Sequence, residues 1–236
     1  IAIVVKRGQG DTRTETQILN ALYDKLWFYI LMALLSQVSY LAIVLCYNSV
    51  CRIKFSACNL HLKKAKAAPS FGSIALGIIA ILGFIVFVEG VLGNMFSKLG
   101  ISGAGYALEH TNVGLLILDL FLIGIIRAIC EEIFFRGLLY NGLKKNFKPF
   151  VSVVISALLF ALMHQNITQF VYQFVLGIAL AQIMERTNNL LYPMLLHMSN
   201  NLFTILLSYM FEKGVINYNF AKMPWWMYIV GVLLIS

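Results

Sequence analysis

The sequence predicts an all-α membrane protein, a polytopic bundle of transmembrane helices with about seven visible spans. Of the 236 residues, 60% are hydrophobic and only 12% are charged, and the mean hydropathy is +0.83. This balance is typical of membrane proteins and excludes an ordinary soluble domain. The net charge is +8, but the basic residues cluster in short loops between apolar runs. Loops of this kind lie beside a membrane, so the lipid bilayer is an expected partner and nucleic acid is not.

The N-terminal part of the chain divides into two predicted regions. Residues 1–25 form a polar segment with charges of both signs, in which no function is visible. Residues 26–111 are predicted to contain the N-terminal transmembrane helices. This region holds a first span, a basic loop, a second span and a Gly-rich turn, at 26–47, 48–72, 73–96 and 98–111.

The region 112–211 is predicted to be the core, with four further spans. The third span, 112–143, is longer than a bilayer of ~30 Å needs at ~1.5 Å per residue, so we expect its C-terminal end near an interface or a cavity. The next three spans follow at 150–163, 167–183 and 190–211. Residues 212–236 are a loop and the start of a last span. Since the chain lacks an initiator Met and ends within an apolar run, we expect a fragment of a longer protein.

A charged turn inside the third span is the first candidate functional feature. The stretch from Arg127 to Gly137 contains two adjacent carboxylates, Glu131 and Glu132, and a second arginine, Arg136. A charge at bilayer depth costs roughly 2.5 to 3.5 kcal/mol on insertion scales, so such residues pair, face a wet cavity or do chemistry. Each arginine lies four residues from one glutamate, which allows two intrahelical ion pairs. The plain structural interpretation is that these pairs only permit burial of the turn.

The later apolar segments add two histidines and an asparagine. His164 follows the fourth span, and His197 and Asn201 lie four residues apart in the sixth, so they project from one face. A lone membrane histidine is usually a hydrogen-bonded packing residue, and an asparagine beside it commonly joins helices. Together with the charged turn, however, these groups contain a general base, a proton carrier, a cation and hydrogen-bond donors. Such a set can add water to an amide.

The polar residues fall into three motifs that resemble those of the CPBP, or ABI, intramembrane proteases, which include the type II CAAX prenyl proteases. The motifs Glu-Glu-x-x-x-Arg, Phe-x-x-x-His and His-x-x-x-Asn are matched in this order by Glu131-Glu132 with Arg136, Phe160 with His164, and His197 with Asn201. Each motif alone is weak, but the three in order at membrane helices are specific. The resemblance covers about residues 115–208. The chain is shorter than eukaryotic prenyl proteases between the second and third motifs, so it looks more like the compact bacterial members.

The resemblance implies an intramembrane endopeptidase acting on a membrane-associated peptide or protein. Such proteins serve peptide maturation or bacteriocin immunity, which would place this one in the plasma membrane of a bacterium. In a site walled by phenylalanines, Glu131 is expected to take a proton from a water that His164 also holds. His197 and Asn201 would then donate hydrogen bonds to the developing oxyanion.

The rest of the first motif has a supporting role in this interpretation. Glu132 with Arg136 would orient the site or bind a substrate carboxylate, for which a planar guanidinium is well suited. The favoured mechanism uses no cofactor. A rival mechanism places a divalent metal such as zinc on Glu131, His164 and His197, with water as the fourth ligand. The chain has no His-Glu-x-x-His helix, which favours the metal-independent mechanism.

Two other function classes stay open. A non-catalytic immunity or scaffold protein would keep the fold and bind a partner. A proton-coupled transporter would use the same charges as a relay, although the repeated halves and broken helices of such carriers are not evident. The protease interpretation predicts that Glu131, His164, His197 and Asn201 surround one water-accessible cavity within the membrane. A small excess of Lys and Arg further predicts that the loop around Lys144 faces the cytoplasm.

Overall fold

A computed structural model of the chain describes residues 26–52, 113–167 and 169–215, together with a few positions between 70 and 99. These residues form helices and their connections, with no β-strand among them, which confirms the predicted all-α class. The predicted polar segment, most of the second span and the last span lie outside the described residues. The helices with described bounds are α1 (Leu26–Val50), α2 (Val113–Leu143), α3 (Pro149–Met163), α4 (Phe170–Thr187) and α5 (Leu191–Glu212).

Two of these helices are long and apolar enough to cross a membrane. They are α1, with 25 residues, and α2, with 31 residues, and they coincide with the predicted first and third spans. α3 is apolar but has only 15 residues, and α4 and α5 include more polar side chains. Length and composition therefore identify two spans within the part of the chain that the structure describes.

α2 is not a regular α-helix over its whole length. Two π-helical stretches, Leu120–Arg127 and Ile133–Tyr140, flank a short α-helical segment, Ala128–Glu132. π-helical turns are rare and frequently occur at functional sites. Both carboxylates of the first motif stand in the segment between them, and both are buried.

Close contacts at two glycines bring the helices together around this turn. A Cβ atom at Gly177 of α4 would lie 2.9 Å from the Cα atom of Ala157 in α3, and one at Gly124 of α2 would lie 2.6 Å from Leu202 in α5. Small residues at such crossings let membrane helices pack closely. The result is that α3 and α4 form one tight pair and that α5 lies directly on α2.

Polar contacts attach α2 to its neighbours at both ends. Near its start, the Tyr29 hydroxyl of α1 donates to the Asp119 carboxylate at 2.5 Å. Near its end, the Tyr140 hydroxyl donates to Glu185 of α4 at 2.6 Å, and Lys144 pairs with the same carboxylate. Hydrogen bonds between membrane helices contribute about 0.6 to 2 kcal/mol each. These contacts hold α2 between α1 and α4 while its middle faces the site.

Candidate active site

One cavity of about 510 Å³ opens beside the polar turn of α2. Its walls come from α2, the residue that follows α3, the start of α4, and α5. All four side chains expected to surround a cavity line it, namely Glu131, His164, His197 and Asn201. The predicted convergence of these residues is therefore confirmed, while their catalytic roles stay predictions.

Glu131 uses only one of its two carboxylate oxygens for an ion pair. Its Oε1 accepts a hydrogen bond from Arg127 Nε at 2.7 Å. Its Oε2 has no hydrogen-bond partner among the described residues and lies 3.8 Å from His197 Nε2. An arginine-paired carboxylate is held in its ionised form, which is the form that can accept a proton from water.

His164 has its ring oriented by the backbone of α3. Its Nδ1 lies 2.8 Å from the Phe160 carbonyl oxygen, which can only accept, so Nδ1 carries a proton. In the neutral ring Nε2 is then a hydrogen-bond acceptor. The Phe160 ring packs edge-on against both imidazoles, with centroid distances of 4.8 Å to His164 and 5.6 Å to His197. This phenylalanine thus sets the spacing of the two histidines.

His197 lies between the two carboxylates of the first motif. Its Nδ1 is 2.8 Å from Glu132 Oε1, and its Nε2 is 3.8 Å from Glu131 Oε2. Because a carboxylate accepts, Nδ1 carries the proton of a neutral ring and Nε2 has none. His197 can therefore donate a hydrogen bond from Nε2 only as an imidazolium.

Glu132 and Arg136 lie behind the cavity, and both side chains are fully enclosed. Arg136 Nη1 donates to Glu132 Oε1 at 2.8 Å, and Nη2 donates to the Gly177 carbonyl at 3.0 Å. The guanidinium also lies over the Phe160 ring, 4.7 Å from its centroid. Glu132 Oε1 thus receives hydrogen bonds from Arg136 and His197 together. This geometry fits the predicted orienting role, whereas an enclosed Arg136 does not reach a substrate carboxylate in the cavity.

Asn201 is held by a chain of hydrogen bonds that joins three helices. Its Nδ2 donates to the Ile123 carbonyl of α2 at 3.2 Å, and its Oδ1 accepts from Asn200 Nδ2 at 3.2 Å. Asn200 Oδ1 in turn accepts a short hydrogen bond from the Tyr172 hydroxyl of α4. Since an amide nitrogen carries two hydrogens, Asn201 keeps one for a further acceptor.

Sequence reasoning missed three of the residues that line the cavity. The sequence interpretation treats Arg127 as half of a structural ion pair and assigns no role to Tyr172 or Asn200, yet all three line the cavity. A charge within an apolar span is a signal that could have identified Arg127. A second carboxamide beside Asn201 is a weaker signal for Asn200. Tyrosine is common in membrane proteins, so nothing in the sequence distinguishes Tyr172.

The rival metal mechanism finds no ready ligand set. Among the described residues, no group of three His, Cys, Asp or Glu side chains is arranged to hold a metal ion. Of the three candidate ligands, Glu131 and His164 offer free acceptor atoms, but His197 directs Nδ1 to Glu132. Metal independence itself stays a prediction.

Comparisons with known proteins agree with the motifs. Residues 112–203 match the family model described as Rce1-like, type II CAAX prenyl endopeptidase Rce1-like. The chain is also similar to the candidate membrane peptidase YdiL of Bacillus subtilis (strain 168), with 26% identity over 143 residues. That alignment covers 57% of this chain and 58% of the relative, so it spans little more than half of the relative's length. No solved structure matches. The similarities confirm the resemblance to the CPBP proteases and, with α1 and α2, indicate a membrane protein.

Proposed function

From the match of residues 112–203 to the type II CAAX prenyl endopeptidases, we propose that this protein is an intramembrane endopeptidase. It hydrolyses a peptide bond of a membrane-associated peptide or protein. One observation carries the proposal, the convergence of Glu131, His164, His197 and Asn201 on one cavity. The cavity volume of about 510 Å³ falls within the range of about 300 to 1,000 Å³ that is common for ligand sites.

The proposed nucleophile is a water molecule held between Glu131 Oε2 and His164 Nε2. Both atoms are acceptors, so the water donates its two hydrogens to them and turns a lone pair toward the scissile carbonyl carbon. Glu131 takes one proton as the new O–C bond forms. It gives this proton to the leaving nitrogen as the C–N bond breaks, which yields a carboxylic acid and an amine.

The oxyanion is held by Asn201 and His197 in this mechanism. Asn201 contributes the amide hydrogen that is not given to the Ile123 carbonyl, and His197 contributes Nε2–H as an imidazolium. One donor at an oxyanion is typically worth about 10²- to 10³-fold in kcat. Glu132 supports this role because it holds His197 Nδ1 and is itself held by Arg136. Glu132 and Arg136 are therefore positioning residues.

The finer architecture and the location are part of the same proposal. We infer about seven spans, with most of the second and all of the last outside the described residues. Glu131 lies near the middle of α2, whose 31 residues are more than a core of ~30 Å needs, so we place its carboxylate well inside the core. A catalytic glutamate at that depth fits a multi-pass protein of a bacterial plasma membrane that matures membrane-associated peptides or takes part in bacteriocin immunity.

The test compares Glu131→Gln with a matched control, Glu185→Gln, in purified protein. Glutamine keeps the side-chain shape but takes no proton, so Glu131→Gln should lower cleavage about 10²- to 10⁴-fold without loss of the fold. Glu185 pairs with Lys144 and does not line the cavity, so its variant should stay within about twofold of wild type. Cleavage of synthetic apolar peptides in detergent micelles is measured by mass spectrometry. Equal activity of the two variants would remove Glu131 from the mechanism.

Chelation separates the favoured mechanism from the metal one. Activity should survive prolonged treatment with a chelator, because water is activated by Glu131 and His164 alone. Loss of activity that added zinc restores, with one metal bound per chain, would instead support the three-ligand site.

A further inference from the structure

Arg127 is the one permanently charged cation among the described residues that line the cavity. A guanidinium stays protonated across the physiological range, so the cavity carries a fixed positive charge beside the proposed water site. The acidic residues of the lining are Glu131, which is buried, and Glu212, which is exposed at the end of α5. Arg136, the other arginine of the charged turn, is fully enclosed.

The hydrogen-bonding capacity of Arg127 is only partly used inside the protein. Its Nε donates to Glu131 Oε1 at 2.7 Å, which engages one of the five N–H groups of a guanidinium. Within the part of the chain that the structure describes, its Nη atoms donate to no acceptor. Bidentate binding of a carboxylate by parallel N–H groups is the strongest contact that arginine makes. Arg127 therefore keeps free donors suited to a second carboxylate.

The two side chains of this pair differ in how far they are exposed. The Arg127 side chain is 35% exposed, whereas that of Glu131 is 1% exposed. A pair that only neutralised Glu131 could be enclosed as completely as the pair of Glu132 with Arg136, both of which are 0% exposed. The arginine of the catalytic pair instead faces the space in which a substrate would lie.

We propose that Arg127 selects substrates with a carboxylate close to the scissile bond. This inference rests on the proposed endopeptidase function. The carboxylate is either the C-terminal carboxylate of the peptide or an acidic side chain. Because the same guanidinium contacts Glu131, the bound carboxylate lies within a residue or two of the bond that is cut.

The test uses synthetic apolar peptides made in matched forms. Each peptide is prepared with a free C-terminal carboxylate or a C-terminal amide, and with one internal glutamate or glutamine. Wild type, Arg127→Gln and Arg127→Lys are compared in detergent micelles, and Arg186→Gln, which changes an exposed arginine outside the cavity, is the control. Mass spectrometry gives kcat, KM and the cleaved bond for each peptide.

Wild type should cleave at least one carboxylate form with a kcat/KM about tenfold above its neutral counterpart, mainly through KM. Arg127→Gln should lose this preference, Arg127→Lys should keep part of it, and Arg186→Gln should keep it all. The form that is preferred shows whether the carboxylate is terminal or internal. Equal treatment of charged and neutral peptides by wild type would overturn the proposal. An equal loss for both forms in Arg127→Gln would also overturn it, since Arg127 would then act only through Glu131.

A binding measurement keeps this inference separate from the proposed function. The affinities of the same peptides for wild type and Arg127→Gln are measured without reference to cleavage. Tighter binding of the carboxylate forms by wild type alone supports Arg127 as their site even if no peptide is cut, in which case the endopeptidase function fails and the binding site stands. Equal affinities for charged and neutral forms would refute the site even if cleavage is observed.

Discussion

The two ion pairs of α2 contain the same chemical groups at the same spacing but lie in different surroundings. Arg127 with Glu131 has its arginine 35% exposed on the cavity, and Glu132 with Arg136 is sealed from solvent. In the open pair Arg127 keeps Nη donors beside the cavity, whereas in both pairs the carboxylate Oε2 has no hydrogen-bond partner among the described residues. In the sealed pair one carboxylate oxygen is shared by Arg136 and His197. The two glutamates are almost equally buried, at 1% and 0% exposure, so the comparison teaches that an exposed arginine and a place in the cavity lining, not burial, distinguish Glu131 from Glu132.

Breaking the sealed pair should have the largest effect on stability. Arg136→Met leaves Glu132 buried without its cation, which costs about 3 to 5 kcal/mol of unfolding free energy. Arg127→Met should cost less than that, because Arg127 is partly exposed and its removal would open Glu131, which lines the cavity, to water. Unfolding in mixed detergent micelles measures both values. Equal losses for the two variants would show that the pairs do not differ in the way their exposure indicates.

Removing the negative charge of Glu132, the carboxylate of the sealed pair, should lower catalysis through its effect on His197. Glu132→Gln still offers an oxygen to Nδ1 but no longer supports an imidazolium, so kcat should fall about 10- to 100-fold with little change in KM. This loss should be smaller than that caused by Glu131→Gln. Steady-state kinetics on one cleaved peptide decide the point. Wild-type kcat in Glu132→Gln would mean that His197 needs no charged partner.

The Gly177 carbonyl ties the sealed pair to the crossing of α3 and α4. In Gly177→Ala the new Cβ would lie 2.9 Å from the Cα atom of Ala157, so α4 must shift, at about 1 to 3 kcal/mol of stability. Gly142→Ala is the matched control, because a Cβ there meets no atom within 4 Å. Thermal unfolding should separate the two variants. If Gly177→Ala and Gly142→Ala unfold at the same temperature, the crossing of α3 and α4 accommodates an added methyl group. A close contact at Gly177 would then not be needed to hold Arg136 in place.

The smallest expected effect concerns the hydrogen bonds that run from Tyr172 through Asn200 to Asn201. These residues belong to neither ion pair. Tyr172→Phe removes the hydroxyl that donates to Asn200, and a net hydrogen bond is worth about 0.5 to 1.5 kcal/mol, or about two- to tenfold in kcat. Tyr192→Phe, outside the cavity lining, should leave kcat unchanged. KM should stay constant in both variants. A loss of stability in Tyr172→Phe with unchanged kcat would make the hydroxyl structural only.

Much of the site could be predicted because its chemistry is local in sequence. Spacing of four residues places Glu131 near Arg127 and Glu132 near Arg136 on any helix, and both pairs form as expected. The second and third motifs predict that His164 and His197 belong to the same site, and both line the cavity. Spacing along one helix does not show which face its neighbours cover. The sequence therefore left Arg136 as a candidate for binding a substrate carboxylate, although it is enclosed.

By itself, the sequence determined the helical class, the apolar α1 and α2, the two ion pairs and the set of polar groups that meet at the site. These features follow from composition and from contacts within a few residues, which every helix reproduces. Only the tertiary structure decided that Arg127 faces the cavity, that His197 turns Nδ1 to Glu132, and that Tyr172 reaches Asn200. The physical reason is that exposure and these hydrogen bonds depend on how α4 and α5 pack against α2, and those contacts join residues far apart in the chain.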